Sequence, residues 1–364
     1  MNLLNLQLFH FRNYERASFE FQPGRIHILQ GGNAQGKTNL IEAIYWLSNL
    51  RSFRTNDTEA LIEHGQEGFV IEAKVENDQR NERLKASVSK GKKSLFHFDN
   101  PVRTYSSFVG LCNAILFCPE DLNLFTNSPR ERRRFLDMEM SKLSRLYTRT
   151  LAHYQKILKE RNAALKQEVP DSALLSVLTG QMIQDQVLII AERSRFLREL
   201  IQEANRLYPF FADSPETIGA EYKTFVSLEQ DTESELKAVY EKDRRSELYL
   251  KSTLHGVHKD NIVFTLNGLP VSEVASQGQK RSILLAIKLG LAQLIKKQSG
   301  QYPILLLDDV FSELDPRRKR QLMKKLPEDM QIFITSAEDW SNEDFGREIS
   351  IYNVEKGKVQ VSHE

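Results

Sequence analysis

The chain has 364 residues, 40% of them hydrophobic and 27% charged, a balance that excludes wholesale disorder and leaves room for one large or two medium domains. Lys plus Arg total 50 and Asp plus Glu 49, so the formal net charge of +1 names no acidic or basic partner by itself. Apolar runs such as Ile304-Leu305-Leu306-Leu307 fall far short of the ~18–20 residues of a membrane span. Met1-Asn2-Leu3-Leu4-Asn5 carries no basic leader region, and two cysteines, Cys112 and Cys118, are too few for a disulfide framework; a cytoplasmic protein is expected.

Taken in chain order, residues 3–9 and 25–30 read as strands, and 38–50 as a helix with Leu40, Ile41, Ile44 and Leu47 at helical spacing. Residues 69–99 alternate apolar and polar positions between Gly, Asn and Lys turns, the pattern of a small antiparallel sheet. From Pro129 the texture becomes helical. Residues 130–168 and 172–208 are two long stretches that must run antiparallel, because the connection through Pro170 is short. Asp171 or Ser172 can cap the second, and each stretch would be roughly 50–55 Å long at 1.5 Å per residue. Charge is segregated here: residues 130–168 hold eleven Lys/Arg against five Asp/Glu, and residues 213–247 five against ten. After that come a strand at 261–266, a long helix at 276–297 and a strand at 302–307. A short helix at 316–326, a strand at 331–334 and a closing hairpin at 349–361 complete the chain. The expected architecture is a head split between 1–128 and 254–364, with a helical arm at 129–253 inserted between the halves.

Gly31-Gly32-Asn33-Ala34-Gln35-Gly36-Lys37-Thr38 fits G-x-x-x-x-G-K-[ST] at every fixed position, after an expected strand and before an expected helix. Glycines let successive backbone N–H groups turn toward phosphate oxygens, and the helix N-terminus adds its dipole. Lys37 is the expected β/γ-phosphate contact and Thr38 the expected hydroxyl ligand of Mg²⁺. Ile304-Leu305-Leu306-Leu307-Asp308-Asp309 is an apolar strand that delivers two carboxylates. Asp308 suits the metal, and Asp309, one residue on, suits polarising the attacking water or capping the next turn. Ser276-Gln277-Gly278-Gln279 opens the long helix with a capping box, and Ser312-Glu313-Leu314-Asp315 follows the carboxylates.

In this order the segments resemble ABC-type ATPases: a Walker A and Walker B pair, a signature motif at Ser276, Gln277, Gly278 and Gln279, and a D-loop with Ser312 and Asp315. Phe11-Arg12-Asn13-Tyr14, Pro119-Glu120-Asp121-Leu122 and Ser128-Pro129-Arg130-Glu131-Arg132-Arg133-Arg134-Phe135-Leu136-Asp137 narrow the resemblance to the RecF family of bacterial recombination proteins, which look like small SMC or Rad50 heads. The resemblance implies an α/β P-loop ABC-type ATPase head with an inserted helical arm, binding ATP and Mg²⁺. It implies a homodimer in which each ATP meets Gly31, Gly32, Asn33, Ala34, Gln35, Gly36, Lys37, Thr38 and Asn39 of one chain and the signature motif of the other. Arg12 and Asn13 would lie near the nucleotide, and Lys37 and Asp309 would serve a weak, DNA-stimulated hydrolysis that acts as a switch. It further implies clamping of DNA at duplex beside single-strand gaps, and work with RecR and RecO to place RecA.

The chain departs from the wider ABC pattern in three places. Asp309 stands where many members have Glu, Thr335 and Ser336 stand where a histidine usually follows the strand at 331–334, and Glu120 is the nearest substitute for the Q-loop glutamine. Arg130, Arg132, Arg133 and Arg134 are candidate contacts to DNA phosphates, with ion pairing to Glu131 and other acids as the alternative. His255-Gly256-Val257-His258-Lys259-Asp260 has metal-like residue types, but the resemblance places it at the return into the head. Two other functions share the motifs. One is the ATPase subunit of a membrane transporter, against which the long helical insertion counts; the other is an SMC-like DNA organiser, which needs far longer arms.

Overall fold

The computed structural model describes residues 1–77, 80–212, 214–228, 231–337, 346–355 and 357–363, without the side chains of residues 312, 313, 316 and 361–363. Two compact units emerge, the first comprising Met1–Leu122, Arg206–Ser214 and Arg281–Glu364, the second Asn123–Asn205 and Pro215–Lys280. The second unit therefore reaches past the expected return at residue 254, and the first also takes in a short passage near residue 210.

In the first unit an antiparallel sheet runs β2 (Tyr14–Glu20), β1 (Asn2–Phe11), β4 (Gly68–Asn77), β5 (Arg80–Ser89), β6 (Lys92–His97), β7 (Asn100–Pro101). Leu3, Leu6, Leu8 and Phe11 of β1 are buried, and the three-residue step from Leu3 to Leu6 follows a register shift against β4 between Leu3 and Asn5. A second sheet has the order β15 (Lys358–His363), β14 (Ile349–Glu355), β3 (Ile26–Gln30), β13 (Ile332–Ser336), β12 (Ile304–Leu307), β8 (Ala114–Phe117). All neighbours in it are parallel except the β14–β15 hairpin. Every residue of β8, β12 and β13 is buried, as a parallel strand covered on both faces requires.

Helix α1 (Lys37–Asn49) is buried at nearly every position, which its apolar run from Leu40 to Leu47 makes possible. Trp46 meets Phe69 of β4 edge-on at 5.0 Å. Full burial of each large apolar side chain on such a helix contributes about 1.5–3 kcal/mol. Leu50 ends the helix in a left-handed conformation, its N–H bonded to Trp46. The remaining helices of this unit are α2 (Tyr105–Phe108), α8 (Gln277–Ser299, whose opening turn through Lys280 belongs to the second unit), α9 (Val310–Glu313) and α10 (Pro316–Lys325).

The second unit holds α3 (Pro129–Leu143), α4 (Arg145–Leu165), α5 (Ser172–Leu207), α6 (Thr232–Leu250) and α7 (Val271–Val274), with an antiparallel sheet of order β11 (Leu269–Pro270), β10 (Asn261–Leu266), β9 (Ile218–Lys223). The expected single helix over 130–168 is two helices. Ser144 is extended (φ −130°, ψ 109°), and its hydroxyl accepts the Tyr147 N–H at 3.1 Å, so a hydroxyl N-cap restarts the chain as α4. Asp171 caps α5 through the N–H groups of Ala173 and Leu174. Contacts from His153 to Asp185 and from Arg161 to Thr179 give α4 and α5 the expected antiparallel course. The strand expected at 261–266 forms, but it pairs with β9 in this unit rather than with the parallel sheet.

Helix α5 buries a stripe from Leu175 through Met182, Ile189 and Phe196 to Leu200. By length and composition it is the one described helix able to cross a bilayer, with a window of mean hydropathy 1.4. Its stripe also carries buried Gln186 and Arg193, whose amide and guanidinium bond to Tyr240, Asp137 and Asp260 of the same unit, a polar inventory suited to a protein core.

One buried and one half-buried histidine, His27 and His258, give the fold a pH dependence. His27 on β3 is fully buried among Phe21, Phe333 and Tyr352, and burial lowers its pKa from 6.5 to about 3, with Arg25 adding to the shift and the Gln22 carbonyl opposing it. His258, beside the Tyr154 hydroxyl at 2.6 Å, is lowered by burial to about 4. Below the unfolded value of 6.5 the unfolded chain takes up protons that the folded chain refuses. Each histidine then removes ~1.4 kcal/mol of stability per pH unit until its folded pKa is reached. Asp308 and Asp260, whose pKa values burial raises, act in the opposite sense. The urea midpoint is expected to fall between about pH 7 and about pH 5, and His27→Gln to flatten that slope. A level midpoint over that range contradicts it.

Candidate nucleotide site

The carboxyl edge of a parallel sheet is where its strands deliver side chains to a ligand. Here β13 lies between β3 and β12, so the loop after β3, the end of β13 and the two carboxylates after β12 stand side by side.

Gly31 leaves β3 with φ 149°, and a Cβ there would come within 2.4 Å of the Val354 carbonyl oxygen on β14. Gly36 has φ 116° and abuts Asn13, so both positions exclude a side chain for steric as well as conformational reasons. Ala34 is left-handed as well, at φ 62°. Gly36 sits at the N-cap of α1 with no side-chain cap and no acid in the first turn, which leaves helix amides open to an anion. The β1–β2 turn braces the loop: Tyr14 Oη donates to Gly36 O at 3.0 Å, and Asn13 Nδ2 donates to Gln35 O at 3.2 Å. Asn13 Oδ1 accepts from Asn39 at 2.8 Å. Asn13 and Asn39 thus fall at the loop.

The Lys37 ammonium donates to the carbonyls of Gly31 and, at 2.8 Å, Gly32. Burial lowers its pKa, opposed by the charges of Asp309 and Asp308. Thr38 Oγ1 donates to Asp308 Oδ1 at 3.0 Å, joining residues 270 apart in sequence. An octahedral Mg²⁺ with ~2.0–2.1 Å bonds has adjacent ligands about 2.9 Å apart, so these two oxygens fit neighbouring positions of such an ion. Burial raises the pKa of Asp308, while hydrogen bonds from Thr335 and Thr38 stabilise its charge. Asp309 is left-handed (φ 53°, ψ 22°) at the start of α9.

Arg12 does not reach into the cradle. It is bidentate to the fully buried Glu42 of α1 at 2.9 and 2.8 Å, and Glu42 also accepts from Ser52 at 2.5 Å and Arg54 at 3.4 Å. Glu42, Ser52 and Arg54 lie outside every motif of the chain. The available signal was an acid inside the apolar run Leu40-Ile41-Glu42-Ala43-Ile44, which a buried helix must neutralise.

In the second unit, Ser276 N donates to Gln279 Oε1 at 2.8 Å and Gln279 N to Ser276 Oγ at 3.2 Å, the reciprocal bonds of the expected capping box. Ser276 and Gln277 are exposed, and Gly278 and Gln279 partly so. Asp315 caps α10 through Arg318 N at 2.9 Å and pairs with the same guanidinium at 2.5 Å; the side chain of Ser312 lies outside the described residues. Glu120 is exposed, and its charge acts on Asp308. Three of the four candidate DNA arginines are engaged within their own unit. Because α3 lies against β10, Arg132 donates to Asn261 as well as to Asn127 and Arg133 to the Asp260 carbonyl, while Arg134 pairs with Glu131 within α3 at 3.8 Å. Arg130 is exposed. His255 pairs with Asp243, and His258 with Tyr154, so the two rings serve local contacts.

Fold and site together define a P-loop ATPase head of the ABC type, with a helical unit inserted in its chain. Residues 2–360 match the family described as RecF/RecN/SMC N terminal domain. The DNA replication and repair protein RecF of Geobacillus thermodenitrificans (strain NG80-2) is 38% identical over 370 residues, 99% of each chain. That of Bacillus subtilis (strain 168) is 36% identical over 371 residues, 99% of this chain and 100% of its own. A solved structure of the recombination mediator protein RecF with ATP, in the RecFOR pathway, matches with TM-score 0.90 at 28% identity over 99% of this chain and 97% of its own. An Smc head domain from Pyrococcus furiosus, at TM-score 0.57 and 15% identity over 100% and 96% of the two chains, shares the fold alone. The chain belongs to the RecF family.

Proposed function

We propose that this protein is an ATP-gated DNA clamp of recombinational repair, acting in the cytoplasm. The observation that carries the reading is the convergence of a phosphate-shaped loop, Thr38 and Asp308 at one sheet edge, in a chain that matches RecF relatives from end to end. The α1 amides and Lys37 bind the phosphates of ATP, and Thr38 and Asp308 hold Mg²⁺. The bound metal supplies charge neutralisation at the phosphates. Asp309, one carboxylate beyond, orients the attacking water, and its short side chain suits slow turnover.

The capping box leaves the first amides of α8 ordered behind the exposed Ser276, so Ser276, Gln277, Gly278 and Gln279 serve the nucleotide of a second copy. ATP closes two copies on DNA, preferring duplex beside a gap; DNA-stimulated hydrolysis opens them, and RecR and RecO use the closed state to load RecA. DNA contact is to the backbone and independent of sequence, with Arg130 free to take part.

The test is the mass in solution by light scattering, with and without ATP-Mg²⁺ and with gapped DNA. A monomer that becomes a dimer with ATP and holds DNA better in that state supports the clamp. An ATP-bound monomer indifferent to DNA overturns it. Ser276→Arg is expected to bind ATP as the wild type does and remain monomeric; normal ATP-driven dimerisation of that variant sinks the role of the motif in trans.

A further inference from the structure

We propose that Thr335 is a positioning residue for the carboxylate pair, holding Asp308 and Asp309 in the arrangement that ATP turnover uses. The inference rests on the nucleotide reading above and adds to it a residue on a third strand.

The placement follows from strand order. β13 separates the strand that carries the phosphate loop from the strand that carries the carboxylates. Thr335 lies opposite Leu29 on one side, and on the other Ile334 lies opposite Leu307, so Thr335 stands one step on, beside Asp308. Its hydroxyl makes two bonds: Asp309 N–H donates to Oγ1 at 2.9 Å, and Oγ1 lies 2.8 Å from Asp308 Oδ1. A backbone N–H can only donate, so it occupies a lone pair and the single hydroxyl hydrogen goes to the carboxylate. One side chain thus fixes the orientation of Asp308 and the backbone position of Asp309.

Both restraints meet a need. Asp309 is a non-glycine residue at φ 53°, an unfavourable conformation that persists only where its surroundings hold it. Thr335 is 2% exposed, so water cannot stand in for a lost hydroxyl. Asp308 Oδ1 also accepts from Thr38, which completes a chain of contacts from the phosphate loop through Asp308 and Thr335 to the Asp309 amide. β-branched threonine suits the strand as well as valine does, so the hydroxyl rather than the shape is the distinguishing feature.

The experiment compares the full-length wild type with Thr335→Val and Thr335→Ser by three measurements. These are equilibrium binding of a fluorescent ATP analogue, steady-state ATP hydrolysis, and hydrogen–deuterium exchange over residues 304–315 without nucleotide. Thr335→Val is expected to lose on the order of tenfold to a hundredfold in kcat while analogue binding stays within about threefold, the split that marks lost positioning rather than lost binding. Its 304–315 segment is expected to exchange faster, and Thr335→Ser, which keeps the hydroxyl, to restore both kcat and protection. Wild-type kcat in Thr335→Val overturns the inference alone, as does a serine variant as slow as the valine variant. A wild-type chain that neither binds nor hydrolyses ATP overturns the nucleotide reading along with it, and is recognised before any variant is compared.

Discussion

Lys37→Arg is expected to abolish ATP-driven dimerisation and to cut ATP hydrolysis by about 10²–10³-fold, the usual cost of removing one charge-stabilising donor, while the fold survives. The expectation comes from the geometry around the ammonium. It is a compact point charge that two loop carbonyls, Gly31 and Gly32, already accept, in a residue only 9% exposed. A planar guanidinium needs a wider, forked set of acceptors than that turn offers, and Gly31 and Gly36 cannot shift freely because Val354 and Asn13 crowd them. Phosphate release and light scattering with ATP-Mg²⁺ measure the loss. An unchanged far-ultraviolet spectrum and a thermal midpoint within about 3 °C of wild type show that the fold is kept. Turnover at the wild-type rate in the variant removes the phosphate assignment.

The second large effect is on stability, at Arg193. This guanidinium is 1% exposed and serves α3, α5 and the loop before β10 at once. It reaches Asp137 at 2.8 Å, Asp260 at 3.0 Å, the Val257 carbonyl at 2.9 Å and the Tyr147 hydroxyl at 3.1 Å. The Asp260 side chain is itself only 1% exposed, and burial already raises its pKa. Arg193→Met keeps much of the volume and leaves the Asp260 carboxylate with the Tyr222 hydroxyl but without its buried guanidinium, which costs about 3–5 kcal/mol for a buried pair broken on one side. Urea unfolding reads the loss. Arg193→Met combined with Asp260→Asn is expected to cost less than the two single changes added, because each removes the other's burden. A loss below about 1 kcal/mol for Arg193→Met contradicts the role given to this network.

The parts of the site visible in sequence are those whose chemistry is local. Gly31 and Gly36 are legible because backbone conformation and crowding demand glycine at each, and Lys37 and Thr38 because the next helix begins there. The Ser276–Gln279 capping box is legible because both of its bonds close within one turn. Ser144 shows the limit of pattern reading. Helical spacing runs on through it, and a single hydroxyl cap decides that α3 and α4 are separate helices. Arg132 and Arg133 show another: a cluster of arginines in sequence looks like a surface for phosphate, yet packing of α3 against β10 commits their donors to Asn261, Asn127 and Asp260.

A phosphate loop, an apolar strand ending in two carboxylates and a long helical stretch after Pro129 are each legible in the chain, since each is a contiguous pattern. How they combine follows from packing. It set β13 between β3 and β12 and brought Thr38 to Asp308 across 270 residues. It also turned Arg12 onto Glu42 and placed the strand at 261–266 in the second unit. The physical reason is that strand order and the partners of buried charges are set by which faces must be covered and which polar groups satisfied, and those conditions couple residues that no local spacing relates.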